Sequence, residues 1–204
     1  MQVETSRRSN AERSADMRAR LVETARRLFV TEGYADTSTP AIVEAAGVTR
    51  GALYHHFPDK RAIFRAVVEA EAAAVAEAIE AADASGMTAL ARLLAGAEAY
   101  IQAMQSEGRT RLMLLEGPAV LGCGAMRQIE GRHGDATLKS GLAEAMAEGA
   151  LRRLPLEPLA SMLSAMFERA ALDMASGMEP MVVLEVVRQV LLGLAADTVT
   201  GRDQ

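Results

Sequence analysis

The stretch Thr37–Lys60, TSTPAIVEAAGVTRGALYHHFPDK, constrains the fold more than any other part of the chain. Thr37-Ser38-Thr39-Pro40 is a helix start, with hydroxyls available to cap and a proline placed where no backbone N–H is needed. Ile42 and Ala46 then share an inward face, and Gly47 stops the helix after about two turns. Thr49 caps a second short helix over Arg50–His56, and Pro58-Asp59 closes it and opens a third. Two short helices joined by a glycine-containing turn form a helix-turn-helix. On a helical wheel Leu53 and Phe57 fall together and pack against the first helix. The opposite side presents Gly51, Ala52 and His55, flanked by Arg50, Tyr54 and His56. That face offers a guanidinium, a methyl group, a phenol, two imidazoles and one nearly bare stretch of backbone. These groups suit a DNA major groove, and the helix starts at Thr39 and Thr49 aim backbone N–H groups at phosphates.

Charge placement agrees with a polyanion-facing end. The whole chain of 204 residues has a formal net charge of −5. Residues 1–61 carry ten Arg and Lys against eight Asp and Glu, leaving the excess of acid to the remainder. The N-terminal part is therefore a mildly cationic module on an acidic body.

This pattern resembles the DNA-binding domain of TetR-family transcriptional regulators. The resemblance rests on T-x(4)-I-V-x-x-A-G-V-T-x-G-x-L-Y-x-H-F-x-x-K, followed directly by a long helix containing Ala62-Ile63-Phe64, and it covers about residues 15–70. It implies that Thr39, Thr49, Tyr54, His56 and Lys60 touch phosphates, and that Gly51 permits close approach to the duplex. It also implies that Arg50, Ala52 and His55 read bases. Pro40 departs from the polar residue often found there and removes one phosphate contact. The implied partners are a double-stranded, pseudo-palindromic operator, a second copy of the chain, and a small-molecule effector. Ligand binding would tilt the long helix and change the separation of two recognition helices. A ligand-released repressor is the expected behaviour, with a ligand-dependent activator, or a helical interaction module without DNA binding, as alternatives.

The rest of the chain reads as helix. Alanine, leucine, arginine, glutamate and methionine are abundant, while aromatics make up 3%, which disfavours strands. An amphipathic helix from about Ala15 ends at Gly33, after an N-terminal arm over 1–13. Beyond the helix-turn-helix domain (14–60), a ligand-binding and dimerisation domain (61–204) holds a long helix to about Ala84. Further segments follow over 87–106, 109–116, 123–150 with a possible break at His133-Gly134, 157–176 and 180–198. Stops are expected at Gly108, Gly117-Pro118, Pro155 and Gly177. The fold class is all-α, with about nine helices.

Within this second domain Tyr100, Met104, Met113, Glu116, Met126, His133 and Met146 are candidates for the effector pocket, the methionines as adaptable apolar surface. Met162, Met166, Phe167, Val183, Val187, Val190 and Leu191 are candidates for a dimer interface, because the last two helices are apolar over more than one face. Glu168, beside Arg169, is either an interface polar pair or a solvated edge.

Enzymatic chemistry finds little support. Cys123 and His133 stand ~15 Å apart on a continuous helix, too far for a dyad. No phosphate-cradling glycine loop occurs, no cluster has metal-ligand spacing, and one cysteine excludes an intramolecular disulfide. No catalytic residue, metal or cofactor is expected. No apolar run reaches the ~18 residues of a membrane helix, and no secretory signal opens the chain, so a cytoplasmic, reduced protein is expected.

Overall fold

The computed structural model describes residues 10–133 and 135–196, without the side chains of residues 133–136. It consists of α1 (Asn10–Asp36), α2 (Thr39–Ala46), α3 (Arg50–His56), α4 (Lys60–Ala81), α5 (Ala89–Met104), a π-helical segment (Arg111–Glu116), α6 (Gly117–Leu121), α7 (Cys123–His133), α8 (Asp135–Ala147), α9 (Leu156–Ala175) and α10 (Pro180–Leu192). Among the described residues no strand forms, only an isolated bridge between Leu151 and Ala195. The all-α reading therefore holds. Among the described residues no helix is long and apolar enough to cross a membrane. The chain divides into two compact units, one running to Ala70 and one from Glu71.

The first unit is a small bundle closed around Leu21, Ala25, Phe29, Ile42, Leu53 and Phe64, all fully buried. Phe29 and Phe64 meet edge to face at 5.2 Å, and Tyr34 meets Phe64 at 4.8 Å, favourable geometries for aromatic quadrupoles. This unit extends past the expected boundary at residue 60 because Ile63, Phe64 and Val67 of α4 are themselves core residues. α1 starts at Asn10, inside the segment expected as an arm; residues 1–9 of that arm lie outside the described residues. Helical geometry in α1 breaks at Gly33, with φ 85° and ψ 165°, a conformation that glycine adopts without steric cost. Thr37 then folds back, its hydroxyl donating to the Gly33 carbonyl at 2.7 Å.

In the second unit α5 packs on α8, α9 and α10. Their shared core runs through Leu93, Ile101, Leu142, Leu163, Phe167 and Val187. One feature differs from expectation. Gly117-Pro118 does not stop the helix: Gly117 keeps right-handed dihedrals (φ −53°, ψ −58°) and donates its N–H to the Leu112 carbonyl, five residues back. Pro118 has no N–H to give to the carbonyl four residues before it, and the wider π turn accommodates that loss. The stop comes at Gly122, with φ 84°. Position 117 also sits against its neighbours, since a Cβ there would lie 2.9 Å from the Met126 sulfur. The segment over 123–150 divides where a break was possible, into α7 ending at His133 and α8 starting at Asp135, and α8 ends at Ala147 ahead of the left-handed Gly149. Among the described residues this gives ten α-helices and one π-helical segment where about nine helices were expected.

A buried ion pair anchors the start of this unit. Arg109 Nε donates to Glu71 Oε2 at 2.7 Å and its Nη1 to the Ala103 carbonyl at 2.7 Å, while Glu71 is 4% exposed. Removing one member strands a desolvated charge, whereas replacing both with apolar groups does not. Glu71→Ala is expected to destabilise the protein by about 3–5 kcal/mol, and Glu71→Leu with Arg109→Met by far less. Urea unfolding of both variants checks this; equal losses would show the pair to be favourable in itself.

Candidate nucleic-acid interface

The reading of Thr37–Lys60 resolves into specific caps. Ser38 Oγ accepts from the Ala41 N–H at 3.2 Å, with Pro40 in the first turn of α2. Gly47 ends α2 in the left-handed region, φ 61° and ψ 40°. Thr49 Oγ1 accepts from the Ala52 N–H at 3.2 Å and starts α3. The turn between the helices is thus Gly47-Val48-Thr49. Leu53 and Phe57 point into the core, at 0% and 3% exposure.

The opposite face of α3 carries the remaining side chains. Arg50, Gly51, Tyr54 and His55 are exposed, Ala52 and His56 half-buried. The Arg50 guanidinium lies 5.4 Å from the Tyr54 ring centroid, and the Tyr54 hydroxyl lies 3.5 Å from Thr39 Oγ1 at the start of α2. Thr39 first, then Arg50, holds the Tyr54 phenol below its ordinary pKa. His55 and His56 stand edge to face at 5.1 Å. Gly51 is helical, and a Cβ there would meet only Thr49 Oγ1 at 3.9 Å. Nothing inside the protein demands glycine at this position.

Lys60 is placed differently from its expected task. Its ammonium donates to the carbonyls of Tyr34 at 2.7 Å, Ala35 at 3.2 Å and Thr37 at 2.9 Å, and lies 4.3 Å from the Tyr34 ring centroid. Three donors are all an ammonium has, so Lys60 closes the end of α1 and has no N–H left for a phosphate.

The second unit contains a cavity of about 670 Å³, a size usual for small-molecule sites. Of the residues named for an effector pocket, Tyr100 and Met113 line this cavity and the others do not. Met104 and Met126 are buried elsewhere, Met146 packs on the helical core, Glu116 pairs with Arg111 at 3.5 Å, and the His133 side chain lies outside the described residues. The wall comes instead from small and branched residues of α4, among them Ala72, Val75 and Ile79, and from α8 and α9. An alanine-rich helix gives no sequence signal distinguishing a cavity wall from packed core. Glu168 is neither interface pair nor solvated edge: it lines the cavity, while neighbouring Arg169 turns to Asp173. Burial raises the Glu168 pKa. Burial, then Glu168 and Glu130, drive that of Tyr100 well above the ordinary phenol range.

On the last two helices, Phe167, Val183, Val187 and Leu191 turn inward at 3–7% exposure and Met166 is half-buried. Spacing of four residues puts Val183, Val187 and Leu191 on the α10 stripe that meets its own neighbours, so these are core, not surface. The outward side carries Met181, Val182, Val186 and Val190, all exposed, and α9 adds Met162 at 73%.

Comparison with known proteins follows this geometry. Residues 21–67 match the family described as bacterial regulatory proteins, tetR family, and residues 90–197 match the tetracyclin repressor-like C-terminal domain. The chain belongs to the TetR family. A curated relative, the HTH-type transcriptional repressor AcnR of Corynebacterium efficiens, is 35% identical over 71 residues, 35% of this chain and 38% of that protein. The HTH-type transcriptional regulator TtgR of Pseudomonas putida is 40% identical over 62 residues, 30% of each. The chain thus spans little more than a third of the curated relatives it matches. A TetR-family regulator from Pectobacterium atrosepticum superposes with TM-score 0.72 at 29% identity, over 92% of this chain and 98% of that one. A second, from Syntrophomonas wolfei, shares the fold with TM-score 0.77 at 18% identity, over 92% and 99%.

The reassignment of Lys60 has a measurable consequence. Lys60→Ala should destabilise the protein by about 1.5–3 kcal/mol, the range for hydrogen bonds from a charged donor. It should leave unchanged the slope of duplex affinity against salt, which counts phosphate contacts. A slope reduced by about one, with thermal stability intact, would return Lys60 to the phosphate set.

Proposed function

We propose that this TetR-family chain is a sequence-specific DNA-binding regulator, a ligand-released repressor that grips a pseudo-palindromic operator as a homodimer. The observation carrying this reading is the exposed face of α3, where Arg50, Ala52, Tyr54 and His55 surround a glycine that the protein's own packing does not require. An open Gly51 lets a duplex approach the helix backbone. Arg50 has the fork that reads guanine, Ala52 the methyl that meets thymine, and His55 a ring nitrogen for a base edge. Thr39, Thr49, Tyr54 and His56 take the phosphates, helped by the first-turn N–H groups of α2 and α3. Repression is supported by the relatives named as transcriptional repressors; release by ligand, by the cavity in the second unit.

Dimerisation has its own support. Met181, Val182, Val186 and Val190 form an exposed apolar strip on α10, and such strips mark interaction surfaces in soluble proteins. A two-fold axis through this strip matches a two-fold operator.

Selection of the purified protein on random duplex DNA tests the whole reading. A two-fold-symmetric site enriched at near-physiological salt is expected, and no enriched site would reject it. On that site Arg50→Ala should cost about 1–3 kcal/mol and relax one position per half-site. Uniform weakening over all sequences would remove Arg50 from base readout. Val186→Glu should give monomers in sedimentation velocity without loss of helix content; intact dimers would move the interface off α10.

A further inference from the structure

The cavity in the second unit has a composition that selects among ligands. Its wall is mainly apolar, with Val75 and Ile79 of α4 and Leu93 and Ala97 of α5 among its residues. Its charged residues lean acidic: the exposed Glu80, Asp83 and Glu144 and the half-buried Glu168 stand against Arg92, the one basic residue on the wall among the described residues. Arg92 is already taken, donating to Glu144 Oε2 at 2.7 Å and to the Met87 carbonyl at 3.0 Å. A ligand therefore meets negative potential with no free guanidinium to answer an anion.

The half-buried carboxylate of Glu168 shares the wall with two aromatic rings. Tyr100 and Phe167 both line the cavity, with ring centroids 6.1 Å apart. Glu168 follows Phe167 directly in α9, and its carboxylate and that of Glu130 both act on the Tyr100 phenol. Among the described residues, neither a hydrogen bond nor an ion pair holds Glu168. A partly buried carboxylate without a counter-charge disfavours its own ionised form, so Glu168 costs stability at neutral pH unless a cation arrives. Aromatic faces beside carboxylates suit cations with dispersed charge, which draw on ring quadrupole and Coulomb attraction together. An anion or a strongly hydrated sugar finds neither.

We infer that the cavity takes a cationic amphiphile, its ammonium or comparable centre set among Tyr100, Phe167 and Glu168 and its apolar portion along α4 and α5. The assignment rests on reading this cavity as the effector site, but it is tested without DNA. Calorimetric titration of the full chain with decyltrimethylammonium and decanoate, each below its micelle concentration, and with 1-decanol below its solubility limit compares three head groups on one tail. The ammonium should bind about tenfold or more tightly than the alcohol, and decanoate most weakly, as one partly desolvated carboxylate contact warrants. Glu168→Gln, close in size, should remove most of that preference while raising the thermal midpoint of the ligand-free protein. Tyr100→Phe, which keeps the ring, should retain the preference and report that the cavity is still folded.

Equal binding of the ammonium and the alcohol would overturn the inference, as would tighter binding of decanoate or no binding of any of the three. A preference unchanged in Glu168→Gln would overturn the placement of the charge. The effector reading has its own readout: an ammonium that binds as expected yet leaves the selected operator occupied would reject release by this ligand while leaving the binding assignment standing.

Discussion

The Lys60 ammonium ties the start of α4 to the segment 34–37, a contact on which the geometry of the first unit depends. A helix end leaves carbonyls without partners, and here the end is unusual because Gly33 breaks the helix six residues before α2 begins at Thr39. Tyr34, Ala35 and Thr37 therefore present carbonyls in a tight reversal, and one cation at the start of α4 satisfies all three. The same contact fixes where Ser38 can cap α2. From there the three-residue turn at Gly47 sets α3, whose buried Leu53 and Phe57 dictate which side faces out. The surface offered by Arg50, Tyr54 and His55 is thus the consequence of contacts made on the opposite side of the helix.

The second unit poses another problem, that of keeping a space open. Alanine and glycine on facing helices let backbones approach, as at Gly141, where a Cβ would lie 2.9 Å from a Leu93 methyl. The buried Glu71–Arg109 pair and the π turn before Pro118 hold the chain at defined points around that space, and Met113 and Leu114 of the π turn form part of the wall. The Glu168 carboxylate at this wall opposes folding in its ionised form, since burial raises its pKa. A carboxyl group whose folded pKa exceeds its unfolded one lends stability only at low pH and loses it as pH rises through the raised value. Retaining it at neutral pH is therefore a cost that a bound cation offsets.

Legibility in the sequence followed the range of the interactions involved. Caps and stops are local: Ser38, Gly47, Thr49 and Gly33 could be read because a hydroxyl or a glycine acts within three or four residues of itself. The outward face of α3 could be read too, since one helical turn relates Leu53 to Phe57 and leaves the rest opposite. Lys60 misled because its partners lie 23 to 26 residues away, and an exposed lysine looks the same before and after it finds carbonyls. On α10 the periodicity shows that two faces are apolar but not which one meets α9, so Val183, Val187 and Leu191, candidates for an interface by sequence, are core.

By itself the sequence determined the helical class, the helix-turn-helix and the side of α3 that is free to meet a ligand, because capping, propensity and the 3.6-residue period are properties of neighbours along the chain. Tertiary structure alone decided the cavity and its charge. Glu168, Tyr100 and Val75 belong to three helices, and nothing in their local sequence says that they border one space. Their meeting depends on how α4, α5, α8 and α9 pack, and packing is set by side chains distant in sequence that must fill, or leave unfilled, the same volume.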